Sequence, residues 1–183
     1  MQGTKLNEII TNFVNMNYTE FLQTKHKNIE KSGFDVKESE LNDMLFDFQK
    51  FTVKRALRAG RYAIFADTGQ GKTPMQLEIA KNVNEHTNKP VLILAPLAVS
   101  GQTIEQGDKF NISVERWNNP ENPTGIYVSN YEQIDNIDVS VFSCVCLDES
   151  SILKNETGKY RNKLITLFKN TPYKFCFSAT PSP

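Results

Sequence analysis

The chain has 183 residues, with 21 Lys plus Arg against 21 Asp plus Glu, a length suited to one α/β domain or one domain with a helical appendage. Its formal net charge of zero neither demands nor excludes a nucleic-acid partner, and any basic surface has to be local. Three cysteines are too few, and odd in number, for a secreted disulfide scaffold, and no apolar run approaches membrane-spanning length, so a soluble protein of a reducing cytosol is expected.

Residues 1–40 read as a polar, helical N-terminal extension, with Ile9, Phe13, Phe21 and Leu22 set among many charges and Gly33 near its close. From Leu41 the spacing of Leu41, Met44, Leu45 and Phe48 predicts an amphipathic helix, continuing through Val53, Ala56 and Leu57 and stopping at Gly60. Beyond it, short apolar runs alternate with helical stretches. The runs are YAIFA (62–66), VLILA (91–95), GIYVS (125–129), FSCVCL (142–147) and KFCFSA (174–179), with a short strand near Val114 inside a loose segment over 111–124. Continuous apolar runs suit strands buried on both faces, and strand–helix repetition implies a mainly parallel sheet with right-handed crossovers. The fold class expected for 41–183 is therefore α/β, three-layered, around a mainly parallel sheet. Cys144 and Cys146 alternate along one strand and share a face, as buried thiols would; a metal site would need further ligands, and the only histidines are His26 and His86.

Two stretches carry chemistry. FADTGQGKT (65–73) follows a strand and precedes a helix, the context a phosphate-binding loop requires. Gly69 and Gly71 let the backbone N–H groups curl inward with Thr68 and Gln70, and the next helix adds its positive end. Lys72 would neutralise phosphate oxygens and Thr73 would offer a hydroxyl to magnesium, while Pro74 is harmless in a first helical turn. Because Ala66 stands where such loops usually open with glycine, an ordinary glycine turn is the alternative. In LDESS (147–151), Asp148 and Glu149 fall where a buried strand ends, the edge at which open parallel sheets bind ligands. There Asp148 would hold the metal and Glu149 would deprotonate the attacking water; the alternative is a solvated acidic turn. Gln49 could bond both ways to an adenine edge, yet alone it is one polar residue on an amphipathic helix.

Read together, these motifs resemble the first RecA-like lobe of a superfamily 2 helicase or translocase, closest to the Swi/Snf-type branch and its compact phage and bacterial members. That family opens its phosphate motif with alanine, and ADTGQGKT matches it. FQKFTVKRAL is similar to its glutamine motif, LILAPLAVSGQT (92–103) to motif Ia, VSNYEQI (128–134) to motif Ib, DESSILKN (148–155) to motif II and SATP (178–181) to motif III. The resemblance covers 46–181 and implies a three-layer RecA-like phosphate-loop NTPase domain that uses ATP and magnesium. Gln49, Thr68, Gly69, Gln70, Gly71, Lys72 and Thr73 would bind nucleotide, Thr73 and Asp148 the metal. Lys72, Asp148 and Glu149 would be catalytic. Pro96, Gln102, Asn130 and Tyr131 would touch a nucleic-acid strand, DNA or alternatively RNA. Ser178 and Thr180 would couple nucleotide state to that strand.

Ser150 and Ser151 depart from the family's usual Ala-His. The chain given stops at Pro183, just after motif III, so a second RecA-like lobe with its arginines is expected as a partner; such arginines contribute about 10³–10⁵ in rate. The expected activity is ATP hydrolysis in a full-length form, weak or absent in an isolated lobe, from a monomer in the cytoplasm of a bacterial or phage-infected cell. The alternatives are a nucleotide-binding module without turnover of its own and a phosphate-loop ATPase of another kind, such as a packaging motor.

Overall fold

The computed structural model describes residues 32–150 and 159–179. The chain divides into two units, Met1–Glu30 and Lys31–Pro183, and every described residue belongs to the second. Most of the expected N-terminal extension, the tail of DESSILKN and Thr180 of SATP therefore lie outside the described residues. Of that extension, residues 32–37 have no regular structure, and a short 3₁₀ turn spans Glu38–Glu40.

In chain order the elements are α1 (Asp47–Ala59), β1 (Arg61–Phe65), α2 (Lys72–Thr87), β2 (Val91–Ala95), α3 (Ser100–Lys109), β3 (Val114–Arg116), β4 (Ile126–Asn130), two 3₁₀ turns (Tyr131–Asn136 and Val139–Val141), β5 (Cys144–Leu147), α4 (Lys159–Leu167) and β6 (Tyr173–Ser178). The strands form one sheet in the order β1-β6-β5-β2-β4-β3, and every neighbouring pair is parallel. Five strands fall where the apolar runs predict them, and β3 where the short strand near Val114 is expected.

Strand β2 shows why those runs are continuous. Val91, Ile93 and Ala95 face a core layer shared with Val53, Leu57, Leu77 and Ile79 of α1 and α2, while Leu92 and Leu94 face a second layer with Tyr131, Ile134, Leu164 and Phe168. Both faces are covered, so alternation with polar residues would bury unpaired groups. Cys144 and Cys146 share the first layer, as their spacing predicts, with sulfurs 3.9 Å apart.

The first helix departs from expectation. It begins at Asp47, six residues after Leu41, although Leu41 and Leu45 are buried as the pattern requires. Met44 and Phe48, placed on the same face by a helical reading, are 55% and 49% exposed. Asn42 explains the difference. Its Oδ1 accepts from the Met44 N–H at 3.0 Å, a local turn that competes with helix, and its Nδ2 donates to the Phe110 carbonyl at 2.7 Å. The Asn42 N–H meanwhile donates to Oε1 of the buried Glu78 at 3.2 Å. The first bond shapes the segment and the other two tie it to α2 and to the end of α3 as a non-helical strap. Gln49 then starts the helix by accepting from the Phe46 N–H at 3.0 Å, and Gly60, at φ 72°, ends it as expected.

Asn42→Ala removes the turn bond and the tie to Phe110. It is expected to destabilise the fold by about 1–3 kcal/mol in urea denaturation, with helix content by circular dichroism unchanged. A change under about 0.5 kcal/mol, the range of an ordinary surface substitution, would refute the strap.

Candidate nucleotide and nucleic-acid site

Parallel strands bring the predicted residues to one edge. Phe65 pairs with Ser178, Leu94 with Leu147 and Ala95 with Asn130, so the chain leaves β1, β2, β4, β5 and β6 side by side. The loop 66–71 emerges first. The Ala66 N–H donates to the Ser178 carbonyl at 3.2 Å, fastening the start of the loop to the end of β6.

Two glycines shape the loop. Gly69 (φ 85°) and Gly71 (φ 73°) adopt the left-handed conformation that other residues pay to reach. At Gly71 a side chain would also strike Nε2 of Gln49. That amide lies 3.2 Å from the Gln70 carbonyl and is 4% exposed, so Gln49 buttresses the loop from below. Its Oε1 and Nε2 each retain one further bonding capacity. Lys72 opens α2 and folds back, Nζ donating to the carbonyls of Ala66 at 2.9 Å and Asp67 at 3.2 Å. An ammonium held over two oxygen acceptors is the chemistry a phosphate binder needs. Thr73 and Pro74 occupy the first turn of α2, where a missing N–H has no intrahelical partner.

A cleft of about 520 Å³ runs along this loop, lined by Thr68, Gly69, Gly71, Lys72 and, from α3, by Gln102 and Gln106. A cleft of similar size, about 540 Å³, opens at the opposite edge near His86, Ser143 and Tyr173, away from every residue expected to bind nucleotide, metal or nucleic acid.

Across from the loop, Asp148 is 7% exposed at the end of β5, its N–H donating to the Leu94 carbonyl at 2.8 Å. Burial raises its carboxyl above the ordinary carboxylate value. The Glu149 N–H, which donates to Oδ1 at 3.0 Å, pulls it down, the Glu149 charge pushes it up and the Lys72 charge pulls it down again. Glu149 sits at φ 48°, left-handed for a residue with a side chain, and Ser178 Oγ lies 3.5 Å from its Oε1, the outer limit of a hydrogen bond.

The residues expected to touch nucleic acid divide. Asn130 is half-buried and caps the following 3₁₀ turn by accepting from the Gln133 N–H at 3.0 Å; the carbonyl of half-buried Pro96 accepts from the Val99 N–H at 2.8 Å. Gln102 is exposed and lines the phosphate-loop cleft. Tyr131 requires a correction. It is 1% exposed, and its hydroxyl donates to the Asp148 carbonyl at 2.7 Å, so its side chain is core rather than strand-facing surface. A tyrosine directly after a strand looks the same in sequence whether it points in or out. Leu94, whose carbonyl fixes Asp148, was unmarked for the same reason: backbone roles leave no trace in residue type.

Residues 39–183 match the family of type III restriction enzyme res subunits (ResIII). The chain belongs to the ResIII family. Among curated proteins, none matches it. In solved structures the ResIII domain is similar to the Sulfolobus solfataricus SWI2/SNF2 ATPase core in complex with dsDNA, at 17% identity and TM-score 0.66, over 80% of this chain and 34% of that one. It is also similar to the UvsW helicase from bacteriophage T4 (16%, TM-score 0.64, 97% and 70%) and to the Pyrococcus furiosus Hef helicase domain (19%, TM-score 0.62, 74% and 33%). It thus spans about a third of the length of the first and last of these. Family and fold together make it a superfamily 2 first RecA-like lobe, a mainly parallel α/β domain as expected. Among the described residues, no helix is long and apolar enough to cross a membrane.

The ionised Asp148 carboxylate works against folding. Its folded-state value is raised, so the folded chain binds this proton more tightly than the unfolded one. Its contribution to stability is greatest at low pH and declines as pH rises through the raised value. Asp148→Asn, which keeps an acceptor for the Glu149 N–H, is therefore expected to raise the unfolding midpoint at pH 7. The gain should shrink as pH falls toward the ordinary carboxylate range of about 3.9, where the wild-type group is already neutral. An equal or lower midpoint at pH 7 by calorimetry would contradict it.

Proposed function

We propose that this chain binds MgATP on the loop 66–73 and serves as the nucleotide-driven lobe of an ATP-dependent helicase or translocase acting on DNA. The lobe spans 41–183, with 1–40 as an extension. The observation that carries this reading is that three parallel strands, β1, β5 and β6, deliver a lysine-bearing glycine loop, the buried Asp148 with half-buried Glu149, and Ser178 to one edge.

The residues present fit the nucleotide and its metal. Gly69 has open space beside it, with no atom within 4 Å of where a side chain would stand, and Lys72 already donates to oxygen acceptors. The Thr73 hydroxyl and the Asp148 carboxylate are hard oxygen donors of the kind magnesium takes. Bound magnesium would offset negative charge on the phosphate oxygens. The chain's own groups would do the rest: Thr68 to Gly71 cradle phosphate with backbone N–H groups, and Lys72 exchanges its loop carbonyls for phosphate oxygens. Gln49 offers its remaining lone pair and N–H to the adenine edge. Glu149 accepts a proton from the attacking water, and Ser178, with Thr180, relays nucleotide state.

DNA would lie across the loops that carry Pro96, Gln102 and Asn130, held by polar groups and backbone amides rather than by a broad basic field, consistent with the zero net charge. The double-stranded DNA in the Sulfolobus complex supports DNA as the polymer, and a second RecA-like lobe is the partner that would supply arginines.

Lys72→Ala is expected to weaken MgATP binding in calorimetric titration by about two orders of magnitude, the scale of lost charge-assisted hydrogen bonds. Unchanged affinity would remove the loop from the reading.

A further inference from the structure

Tyr131 follows the last residue of β4 and packs in the core layer that holds Leu92, Leu94, Ile134 and Leu147. A buried tyrosine hydroxyl generally finds a partner, and here it is the Asp148 carbonyl, at 2.7 Å. That carbonyl and the Glu149 N–H are the two ends of one peptide unit, and the N–H donates to Asp148 Oδ1 at 3.0 Å. The peptide joining the two acidic residues is therefore held at both polar ends.

The backbone at Glu149 gives this a purpose. At φ 48° the residue bears strain of about 1–2 kcal/mol for a side-chain-bearing position. The simplest relief is a flip of the 148–149 peptide, which changes ψ of Asp148 and φ of Glu149 together. A flip would turn the carbonyl away from Tyr131 and the N–H away from Oδ1, so both bonds oppose it. On the far side of Asp148, the N–H to the Leu94 carbonyl anchors the residue to β2.

We infer that Tyr131 is a positioning residue for ATP hydrolysis: its hydroxyl locks the Asp148–Glu149 peptide and holds Glu149 in the left-handed conformation that sets its carboxylate beside Ser178. The inference rests on the MgATP reading for its meaning, but the lock itself is a property of the chain alone. Tyr131 acts through the Asp148 carbonyl on Glu149.

The test is site-resolved amide exchange by NMR on the full 183-residue chain, wild type against Tyr131→Phe, which keeps the ring and loses only the hydroxyl. Exchange at the Glu149 amide is expected to accelerate about tenfold, the effect of one lost buried hydrogen bond, while the Leu94 and Val145 amides and the MgATP affinity change less than about twofold. Unchanged exchange at Glu149 would overturn the inference. So would equal acceleration at Glu149, Leu94 and Val145, which would mark Tyr131 as an ordinary core residue. Failure of the wild-type chain to bind MgATP would overturn the functional reading while leaving the lock to be judged by exchange.

Discussion

Parallel pairing obliges each strand of this sheet to hand its chain on at the same edge, and the chemistry-bearing residues inherit their proximity from that rule. Lys72, Asn130, Asp148 and Ser178 are far apart in sequence, yet Phe65↔Ser178, Leu94↔Leu147 and Ala95↔Asn130 set their loops in a row. The registers hold because β2 and β5, at the centre, bury both faces; a one-residue slip would exchange the contents of two core layers at once. The ends of the strands at that edge are accordingly placed by the registers beneath them.

This edge carries groups the fold would otherwise avoid. Asp148 is buried as a carboxylate whose ionised form burial disfavours, and Glu149 occupies a backbone region that costs energy. Each is held by bonds from the sheet or its neighbours: the Leu94 carbonyl, the Tyr131 hydroxyl, the Ser178 hydroxyl. Strain and burial concentrated in two adjacent residues, each restrained from different elements, are what a site prepared for a charged ligand requires.

Much of this was legible in the sequence, and the exceptions share a cause. Strands covered on both faces, such as β2, β4 and β5, stand out as unbroken apolar runs. β1 is largely exposed yet still reads as an apolar run, the three-residue β3 does not, and the loop and the carboxylate pair are legible because each follows such a run. The start of α1 is not legible because Leu41 and Leu45 are buried by a strap instead of a helix: periodicity reports burial, and Asn42, which decides the conformation, acts through bonds to Met44 and Phe110 that no spacing encodes. The motif sets Tyr131 against a nucleic-acid strand, whereas its side chain lies in the core with its hydroxyl on the Asp148 carbonyl. The loop contact of Gln49 and the backbone of Glu149 were likewise hidden, since a side chain's partner across the fold and a φ angle are properties of the packed chain.

The central claim is that the lysine of the glycine loop exchanges backbone oxygens for phosphate oxygens. A crystal structure of the chain with a non-hydrolysable MgATP analogue tests it most directly. Nζ of Lys72 is expected to leave the carbonyls of Ala66 and Asp67 and contact the terminal phosphates, with Thr73 and Asp148 as the residues that would hold the metal. An analogue bound elsewhere, with Lys72 still folded onto its own loop, would contradict it.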